Sequence, residues 1–211
     1  MEQVRKVEEL KTILQGRVPG VQDARGVYAI LVPLVEREGE LSLLFEMRAD
    51  SLQGHPSETC FPGGKVEPGE APLEAALREA WEEIGIPEEE ISVLGPLDLI
   101  QDISSRVIYP FLAYIKEESL NRLRLNAAEV KEVFFVPLQQ LRERDPYVYQ
   151  SPVVMQVGED FPYEKIGFEK GYRWRSGIMD VPVYEYGGHR VWGMTGRTVR
   201  WLLQLLEEEG L

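Results

Sequence analysis

Three glutamates, Glu79, Glu82 and Glu83, lie within five consecutive residues of one predicted helix. Because an α-helix has 3.6 residues per turn, their side chains project from one face. No basic residue separates them, so their carboxylates repel one another unless a cation lies between them. Clustered carboxylate oxygens suit Mg²⁺ or Mn²⁺, which proteins bind through a few carboxylates together with the phosphates of a substrate. The spacing therefore predicts a metal site for a phosphate ester or anhydride.

The residues around the glutamates predict a loop, a helix and a second loop. Turn-forming residues precede the helix in Pro62–Gly64 and Pro68–Gly69. Pro72 suits the first helical position, and Gly85 suits a left-handed residue that ends the helix. An apolar stripe predicts the buried face of this helix. Its members are Leu73, Leu77, Ala80 and Ile84.

Residues 64–86 resemble the Nudix box, the signature of the Nudix hydrolases. The residues at its fixed positions are Gly64, Glu70, Arg78, Glu79, Glu82, Glu83 and Gly85, and its apolar positions hold Ala80 and Ile86. A solvent-exposed helix with ion pairs from Arg78 to Glu74 and Glu82 is the alternative interpretation. That alternative does not explain Gly64 and Glu70. The resemblance implies an α/β fold, a Nudix-type α/β/α sandwich with a mixed β-sheet.

The resemblance also implies roles for the charged residues of the box. Glu79 and Glu83 are the expected main ligands of Mg²⁺ or Mn²⁺, with Glu82 adding to the cluster and Glu70 available to a further metal ion. Such a metal lowers the pKa of a bound water that attacks phosphorus. Glu82 is the candidate general base, and Arg78 is expected to hold a glutamate in place.

The segment upstream of the box resembles the motif of coenzyme A pyrophosphatases within the superfamily. The matching residues are Arg48, Leu52, His55, Glu58 and the run Phe61–Gly64. Gln53 and Ser57 stand where that motif usually has arginine and glycine. Three later segments resemble the same subfamily: Tyr109–Phe111, Asn126–Leu138 and Val191–Thr195. The resemblance implies hydrolysis of coenzyme A or its derivatives to 3′,5′-ADP and (acyl-)4′-phosphopantetheine.

Arg48, His55 and Lys65 are the expected substrate-binding residues, and Arg106 is a further candidate for the extra phosphate of coenzyme A. A packed loop histidine and an exposed strand-end arginine are the alternative interpretations of His55 and Arg48. The missing arginine at Gln53 leaves an ADP-ribose or other nucleotide-sugar pyrophosphatase as the alternative enzyme. A non-catalytic ligand-binding module on the same fold is a third interpretation, which the intact glutamates disfavour.

Size, charge and cysteine content limit the class of protein. The 211 residues are expected to form one domain, residues 1–211, and the net charge of −13 argues against binding to nucleic acid. The expected partner is therefore a small nucleoside diphosphate substrate, and a homodimer is left open. The single cysteine, Cys60, fits a reducing compartment and is expected to be a buried small residue. No membrane-spanning segment is expected, so the predicted location is the cytoplasm.

The hydrophobic pattern predicts mixed strands flanked by helices. The expected helices are residues 1–16, Pro137–Arg142 and 195–209, the last capped by Thr195. The expected strands are Val27–Val35, Leu41–Met47, Ile91–Leu94, Leu97–Ile103, Val107–Ile115 and Glu132–Val136. Half of the aromatic residues fall between residues 147 and 192. Most of them are expected to pack in the core or across strands, and one or two to line a pocket for a purine ring.

Overall fold

A mixed β-sheet of eight strands forms the centre of the protein. The computed structural model describes residues 2–17, 19–169 and 171–210. The helices are Glu2–Leu14 (α1), Pro72–Ile84 (α2), Leu138–Glu143 (α3) and Gly193–Glu208 (α4). The strands are Gly26–Arg37 (β1), Glu40–Arg48 (β2), Thr59–Cys60 (β3), Gly63–Lys65 (β4), Ile91–Pro96 (β5), Ile100–Gln101 (β6), Arg106–Ile115 (β7), Val130–Pro137 (β8), Tyr147–Val154 (β9), Ser176–Tyr186 (β10) and His189–Val191 (β11).

Helices cover both faces of the central sheet, because its long strands alternate between two apolar cores. Ala29 and Leu31 of β1 pack with the helix α2. Ile30 and Val32 point the other way and share a core with Val199 of α4. Both cores contain fully buried side chains from β2 as well. This arrangement confirms the predicted α/β/α sandwich with a mixed sheet.

The strands β1 and β2 separate at one end, and the glycine-rich turn, Pro62–Gly64, lies between them. β1 pairs with β2 only from Leu34 onward. Before that point β4 takes the place of β2, and Ile30 lies opposite Gly63. The strand β3 pairs in turn with the end of β2, where Cys60 lies opposite Glu46. The backbone of the turn is therefore held against α2 by strand pairing on both sides.

Five of the six predicted strands are confirmed, and the strand predicted at Leu97–Ile103 is wrong for most of its length. Only Ile100 and Gln101 pair with β7 there. The ladder between β5 and β7 is already irregular near Gly95. Beyond Gln101 the side chain of Asp102 accepts hydrogen bonds from the backbone N–H groups of Ser104 and Arg106, at 2.8 and 2.9 Å. These bonds close a turn and end the strand.

The terminal helices differ in their bounds from the prediction. α4 begins at Gly193, not at the predicted cap Thr195. The Thr195 hydroxyl instead donates a hydrogen bond to the Thr59 carbonyl oxygen, at 3.2 Å, and so ties α4 to β3. In α1, the apolar side chains Val7, Leu10, Ile13 and Leu14 are all more than half exposed. Residue 1 of the predicted helix lies outside the described residues.

No helix in the described part of the chain is both long enough and apolar enough to cross a bilayer.

The aromatic-rich region forms a second, three-stranded antiparallel sheet, β9–β10–β11, and a long loop. The sequence predicts that most of the ten aromatic side chains between residues 147 and 192 pack in the core or across strands, and four of the ten lie on the paired strands β9 and β10. Of these four, Tyr184 is buried in the core and Tyr186 packs against the same core, whereas Tyr147 and Tyr149 are exposed. Edge-to-face contacts within the loop instead join a separate group of rings. They are Phe161, Tyr163, Phe168, Tyr172 and Trp174.

Candidate active site

The helix α2 begins and ends where its sequence predicts. Pro72 is its first residue, and the Glu74 carboxylate accepts a hydrogen bond from the Ala71 N–H, at 2.9 Å. Gly85 has a φ of 73°, which glycine adopts without steric cost, and its N–H donates to the Trp81 carbonyl oxygen. The helix therefore presents the glutamates in a fixed order beside the turn.

Glu83 is the most deeply buried of the three helix glutamates. Its side chain is 3% exposed and accepts a hydrogen bond from the Gly63 N–H, at 2.8 Å. Burial, and then the nearby Glu46 carboxylate, raise the pKa of Glu83 to about 9, although the Gly63 N–H favours the ionised form. An ionised Glu83 therefore needs a compensating positive charge.

Glu46 of β2 belongs to the same cluster, and the sequence analysis missed it. It is 1% exposed, and its Oε1 accepts a hydrogen bond from the Cys60 thiol, at 3.1 Å. Burial raises the pKa of Glu46 to about 7, and the Cys60 thiol and Arg48 oppose that rise. A glutamate directly after the apolar run Leu43–Phe45 was the available signal, since charged residues are almost never fully buried without a partner.

Arg78 links the carboxylates on the exposed side of the cluster. Its guanidinium donates hydrogen bonds to Glu70 at 2.8 and 3.2 Å, to Glu79 at 2.8 Å and to Glu82 at 3.1 Å. It also donates to the Lys65 carbonyl oxygen, at 3.1 Å. The bonds from Arg78 lower the pKa of Glu70. Glu70, a predicted metal ligand, thus lies against Arg78, and Arg78 also contacts two of the three helix glutamates, Glu79 and Glu82.

Glu79 lies directly against the glycine-rich turn. A Cβ atom at Gly64 would lie 2.3 Å from its Oε1, so only glycine leaves room for this carboxylate. Burial raises the pKa of Glu79, and Arg78 partly opposes that rise. Glu82, in contrast, is exposed. Glu83 is therefore buried, Glu79 is half-buried beside the turn, and Glu82 faces solvent.

Glu129 is a further carboxylate that the sequence analysis did not single out. Burial is the main cause of the raised pKa values of Glu46, Glu79 and Glu83, and the charge of Glu129 raises each of them further. Its backbone carbonyl accepts a hydrogen bond from the Ala49 N–H, at 2.7 Å. The only sequence signal was its position in the segment from Asn126, which resembles the coenzyme A pyrophosphatases.

The chemistry of this cluster fits a divalent cation. The charges of Glu46, Glu79, Glu83 and Glu129 act on one another at one end of the sheet, and burial raises the pKa values of the first three. Glu46 Oε2 is buried with no hydrogen-bond partner among the described residues. Within the part of the chain that the structure describes, no three acidic, histidine or cysteine side chains already converge with the geometry of metal ligands. The Gly63 N–H and Arg78 hold two of the carboxylates instead, so these contacts must change when a cation binds.

The predicted substrate-binding residues have different surroundings. Arg48 is half-buried beside Glu46, and its Nε donates to the Gly54 carbonyl oxygen, at 3.4 Å. His55 is exposed, with its Nδ1 2.9 Å from a Glu58 carboxylate oxygen. Lys65 is exposed on β4 and forms no ion pair with any described residue. Arg48 and Lys65 thus flank the glycine-rich turn from its two sides.

Arg106, the further candidate, already has partners. Its Nε forms an ion pair with the Asp102 carboxylate, and its guanidinium lies 5.5 Å from the centroid of the Tyr28 ring. Tyr28 lies opposite Lys65 in the pairing of β1 with β4. Arg106 is therefore close to the same end of the sheet, but Asp102 offsets its charge.

The backbone conformation at Ser57 explains why the related motif usually has glycine at this position. Its φ is 59°, a conformation that glycine adopts freely and other residues rarely adopt. The Ser57 hydroxyl donates a hydrogen bond to Asp50, which also accepts one from Lys131, at 2.8 Å. These contacts hold the turn in the left-handed conformation despite the side chain.

A cavity of about 760 Å³ lies on the other face of the sheet, between α4, β10 and the segment around β6. Its lining includes Leu99, Pro110, Arg197 and Trp201, and no residue predicted from the sequence to bind substrate or metal. Pro110 lies opposite Ile30, which lies opposite Gly63. Two strand spacings, about 10 Å, therefore separate this cavity from the turn in the plane of the sheet.

Comparisons with known proteins agree with this geometry. The model of the Nudix domain matches residues 25–156. Nudix hydrolase 3 of Caenorhabditis elegans is 32% identical over 197 residues, which cover 92% of this chain and 78% of that protein. The human mitochondrial coenzyme A diphosphatase NUDT8 is 32% identical over 198 residues, 93% of this chain and 76% of that protein. The peroxisomal coenzyme A diphosphatase NUDT7 of Mus musculus is 38% identical over 135 residues, 64% of this chain and 56% of that protein. With the matched region enclosing the glutamate helix, the glycine-rich turn and the central sheet, the chain belongs to the Nudix hydrolase family.

Proposed function

We propose that this Nudix hydrolase cleaves the diphosphate bond of coenzyme A or its acyl derivatives, with Mg²⁺ or Mn²⁺ as its cofactor. The products would be 3′,5′-ADP and (acyl-)4′-phosphopantetheine. The observation that supports the reaction class is a set of three glutamates: Glu83 and Glu79 contact the Gly63–Gly64 backbone, and the buried Glu46 acts electrostatically on both. The names of two relatives, both coenzyme A diphosphatases, support the choice of substrate.

The proposed metal ligands are Glu79 and Glu83, with Glu82 beside them. A bound divalent cation would neutralise the diphosphate and lower the pKa of an attacking water. In this proposal Arg78 orients Glu79 and Glu82 through its hydrogen bonds of 2.8 and 3.1 Å. Glu70 accepts two hydrogen bonds from the Arg78 guanidinium and thereby fixes its position. Its proposed role is therefore to position Arg78. Without Glu70, Arg78 would be less well fixed, and the Glu79 and Glu82 carboxylates that it contacts would move.

The proposed general base is Glu82. It is the exposed member of the helix cluster, so a water molecule can reach it. Its carboxylate lies 3.1 Å from an Arg78 guanidinium nitrogen, which would fix the direction in which a water molecule meets it.

Arg48 and Lys65 are the proposed binding groups for the phosphates, since neither forms an ion pair with a described residue. Arginine binds phosphate with two parallel hydrogen bonds, and the contact of Arg48 with the Gly54 carbonyl leaves other donors available. His55 would bind substrate as a partner of Glu58, with which it is in contact. The cytoplasmic location and the homodimer remain predictions.

The second candidate is hydrolysis of ADP-ribose or another nucleotide sugar. The observation in its favour is Gln53, which stands where the coenzyme A motif usually has an arginine. Gln53 is exposed and carries no charge for a 3′-phosphate. Substrates that lack the 3′-phosphate would not be bound more weakly because an arginine is missing at position 53.

Product analysis in H₂¹⁸O separates the two candidates. Coenzyme A, ADP-ribose and NADH are incubated with the protein and Mg²⁺ or Mn²⁺, and mass spectrometry identifies the product that carries the label. We expect kcat/KM for coenzyme A to exceed that for ADP-ribose. A tenfold preference for ADP-ribose, about 1.4 kcal/mol in transition-state binding, would exclude coenzyme A as the substrate and leave the reaction class intact.

Arg48→Ala tests recognition of the extra phosphate. We expect KM to rise more for coenzyme A than for 3′-dephospho-coenzyme A, by roughly tenfold, because a charge-assisted contact is lost. Arg190→Ala is the control, since Arg190 is an exposed arginine paired with Glu185 in the small sheet. An equal rise for both substrates would assign Arg48 to the diphosphate or to the fold.

A further inference from the structure

Glu46 has an unsatisfied oxygen at the centre of the acidic cluster. The side chain is 1% exposed, and no described residue donates a hydrogen bond to its Oε2. A buried carboxylate without a partner is strongly unfavourable, so natural proteins usually pair such a group or place it on a metal. Glu46 therefore needs a partner that the polypeptide does not supply.

The direction of the free oxygen follows from the strand and from Cys60. Side chains alternate along β2, so Glu46 lies on the same face as Leu44, which packs with α2. The Cys60 thiol occupies Oε1, at 3.1 Å, which leaves Oε2 as the open ligand atom. The charge of Glu46 acts on Glu83, whose own Oε2 is held by the Gly63 N–H. The two carboxylates are thus neighbours on the inner side of the cluster.

The basic side chains near Glu46 do not satisfy this oxygen. Arg48, two residues further along β2, makes its hydrogen bond to the Gly54 carbonyl. Arg78 serves Glu70, Glu79 and Glu82 on the outer side. A small divalent cation has the size and charge to bind a buried carboxylate oxygen that lies beside a second carboxylate.

We propose that Glu46 is a metal ligand and that, with Glu83, it forms an inner cation position beneath the helix glutamates. The inference rests on the metal dependence in the proposed function, and it adds a ligand from a strand outside the Nudix box. Oxygen ligands select a hard divalent ion, Mg²⁺ or Mn²⁺. Cys60 is a positioning residue in this arrangement, because its hydrogen bond fixes which oxygen of Glu46 remains free.

Mn²⁺ binding to the full-length, substrate-free protein tests the proposal without reference to turnover. Free Mn²⁺ is measured by electron paramagnetic resonance during titration of the wild type, Glu46→Gln and Glu40→Gln. Glu40 lies on the same strand and is exposed, so it is the matched control. We expect Glu46→Gln to weaken binding at least about tenfold, or to remove one bound ion. Glu40→Gln should bind as the wild type does.

A second pair of variants separates a ligand from a structural role. Cys60→Ser keeps a hydrogen-bond donor beside Glu46 and should retain most of the Mn²⁺ affinity, whereas Cys60→Ala should lose part of it. Thermal unfolding without metal verifies that each variant is folded.

Wild-type affinity and stoichiometry in a folded Glu46→Gln variant would overturn the inference. So would a wild-type protein that binds no Mn²⁺. Failure of coenzyme A as a substrate would overturn only the proposed function, since the titration contains no substrate.

Discussion

Two carboxylates share a desolvated position in this protein, although the burial of even one charged group is unfavourable. Glu83 and Glu46 are 3% and 1% exposed, and burial raises the pKa of both. The arrangement is stable without metal only if protons neutralise these groups. With metal, a cation takes that role. The same two residues thus link protonation, metal binding and stability.

Glu83→Gln should lower kcat at least about a hundredfold, which corresponds to ~3 kcal/mol. The amide keeps the shape of the side chain and its contact with the Gly63 N–H, but it is a poor ligand for a hard cation. The stability of the metal-free variant should equal or exceed that of the wild type. Steady-state kinetics at saturating Mg²⁺ and thermal unfolding in EDTA measure both effects.

Glu74→Gln is the control for this change, because Glu74 is an exposed glutamate on the same helix. Turnover near the wild-type level in Glu83→Gln would mean that the helix glutamates do not bind the catalytic metal.

The stability of the metal-free protein should fall as the pH rises from about 4.5 to about 9. The pKa of each carboxyl is 4.5 in the reference state, and it is raised to about 7 for Glu46 and to about 9 for Glu83 in the folded protein. The folded state therefore holds protons that the unfolded chain releases in this range, which makes the slope negative. Thermal unfolding in EDTA between about pH 5 and about pH 9 measures the slope of stability against pH.

Divalent metal should weaken or reverse this dependence, because the cation favours the ionised carboxylates. Glu46→Gln and Glu83→Gln should each flatten the metal-free profile. A metal-free profile that rises with pH across the same range would show that the two carboxylates are ionised and compensated by other groups.

The glycine-rich turn and the helix α2 pack together as one structural unit. Strand pairing fixes the turn, and Gly63 and Gly64 allow the backbone and a carboxylate to approach closely. A Cβ at Gly63 would lie 2.3 Å from the Ala29 carbonyl oxygen, whereas at Gly64 it would meet the end of the Glu79 side chain. Gly63 is therefore required for the fold, and Gly64 is required for the position of the Glu79 carboxylate.

Gly63→Ala and Gly64→Ala should separate these properties. Gly63→Ala forces backbone of β1 to move and should destabilise the protein by about 2 kcal/mol or more. Gly64→Ala should change stability little, because the Glu79 carboxylate can rotate away, but it should reduce turnover by displacing a metal ligand. Urea unfolding and kinetics on both variants measure the contrast. Equal effects on stability would contradict this division.

Local chemistry made α2 and its flanking turns predictable from the sequence. Pro72 and Gly85 define its ends, and the apolar stripe defines its buried face. The members of the site from other elements were not predictable in this way. Glu46 reaches the cluster only because β2 and β1 separate, and Glu129 reaches it through a loop, so both depend on tertiary pairing. The antiparallel strands β9 and β10 were not predicted, because exposed aromatic residues give no clear alternation.

Electrostatics on the scale of the whole molecule oppose the binding of a polyanionic substrate. The chain carries a net charge of −13. The attraction must therefore be local, from bound metal and from basic groups near the turn. Arg48 and Lys65 have no ion pairs among the described residues, whereas Asp102 offsets the charge of Arg106. Arg48 and Lys65 should therefore attract the extra phosphate more strongly than Arg106 does.

The KM for coenzyme A should consequently rise with ionic strength, and it should rise more than the KM for ADP-ribose. Between roughly 20 and 200 mM salt the screening length falls from about 20 Å to below 10 Å, which weakens the attraction between exposed charges. Coenzyme A carries the additional phosphate and is affected more. Lys65→Gln should reduce the slope of KM against salt, and Arg106→Ala should change it less. Parallel slopes for the two substrates would show that the extra phosphate lies outside the field of these residues, and the basic groups that recognise it would then lie elsewhere in the chain.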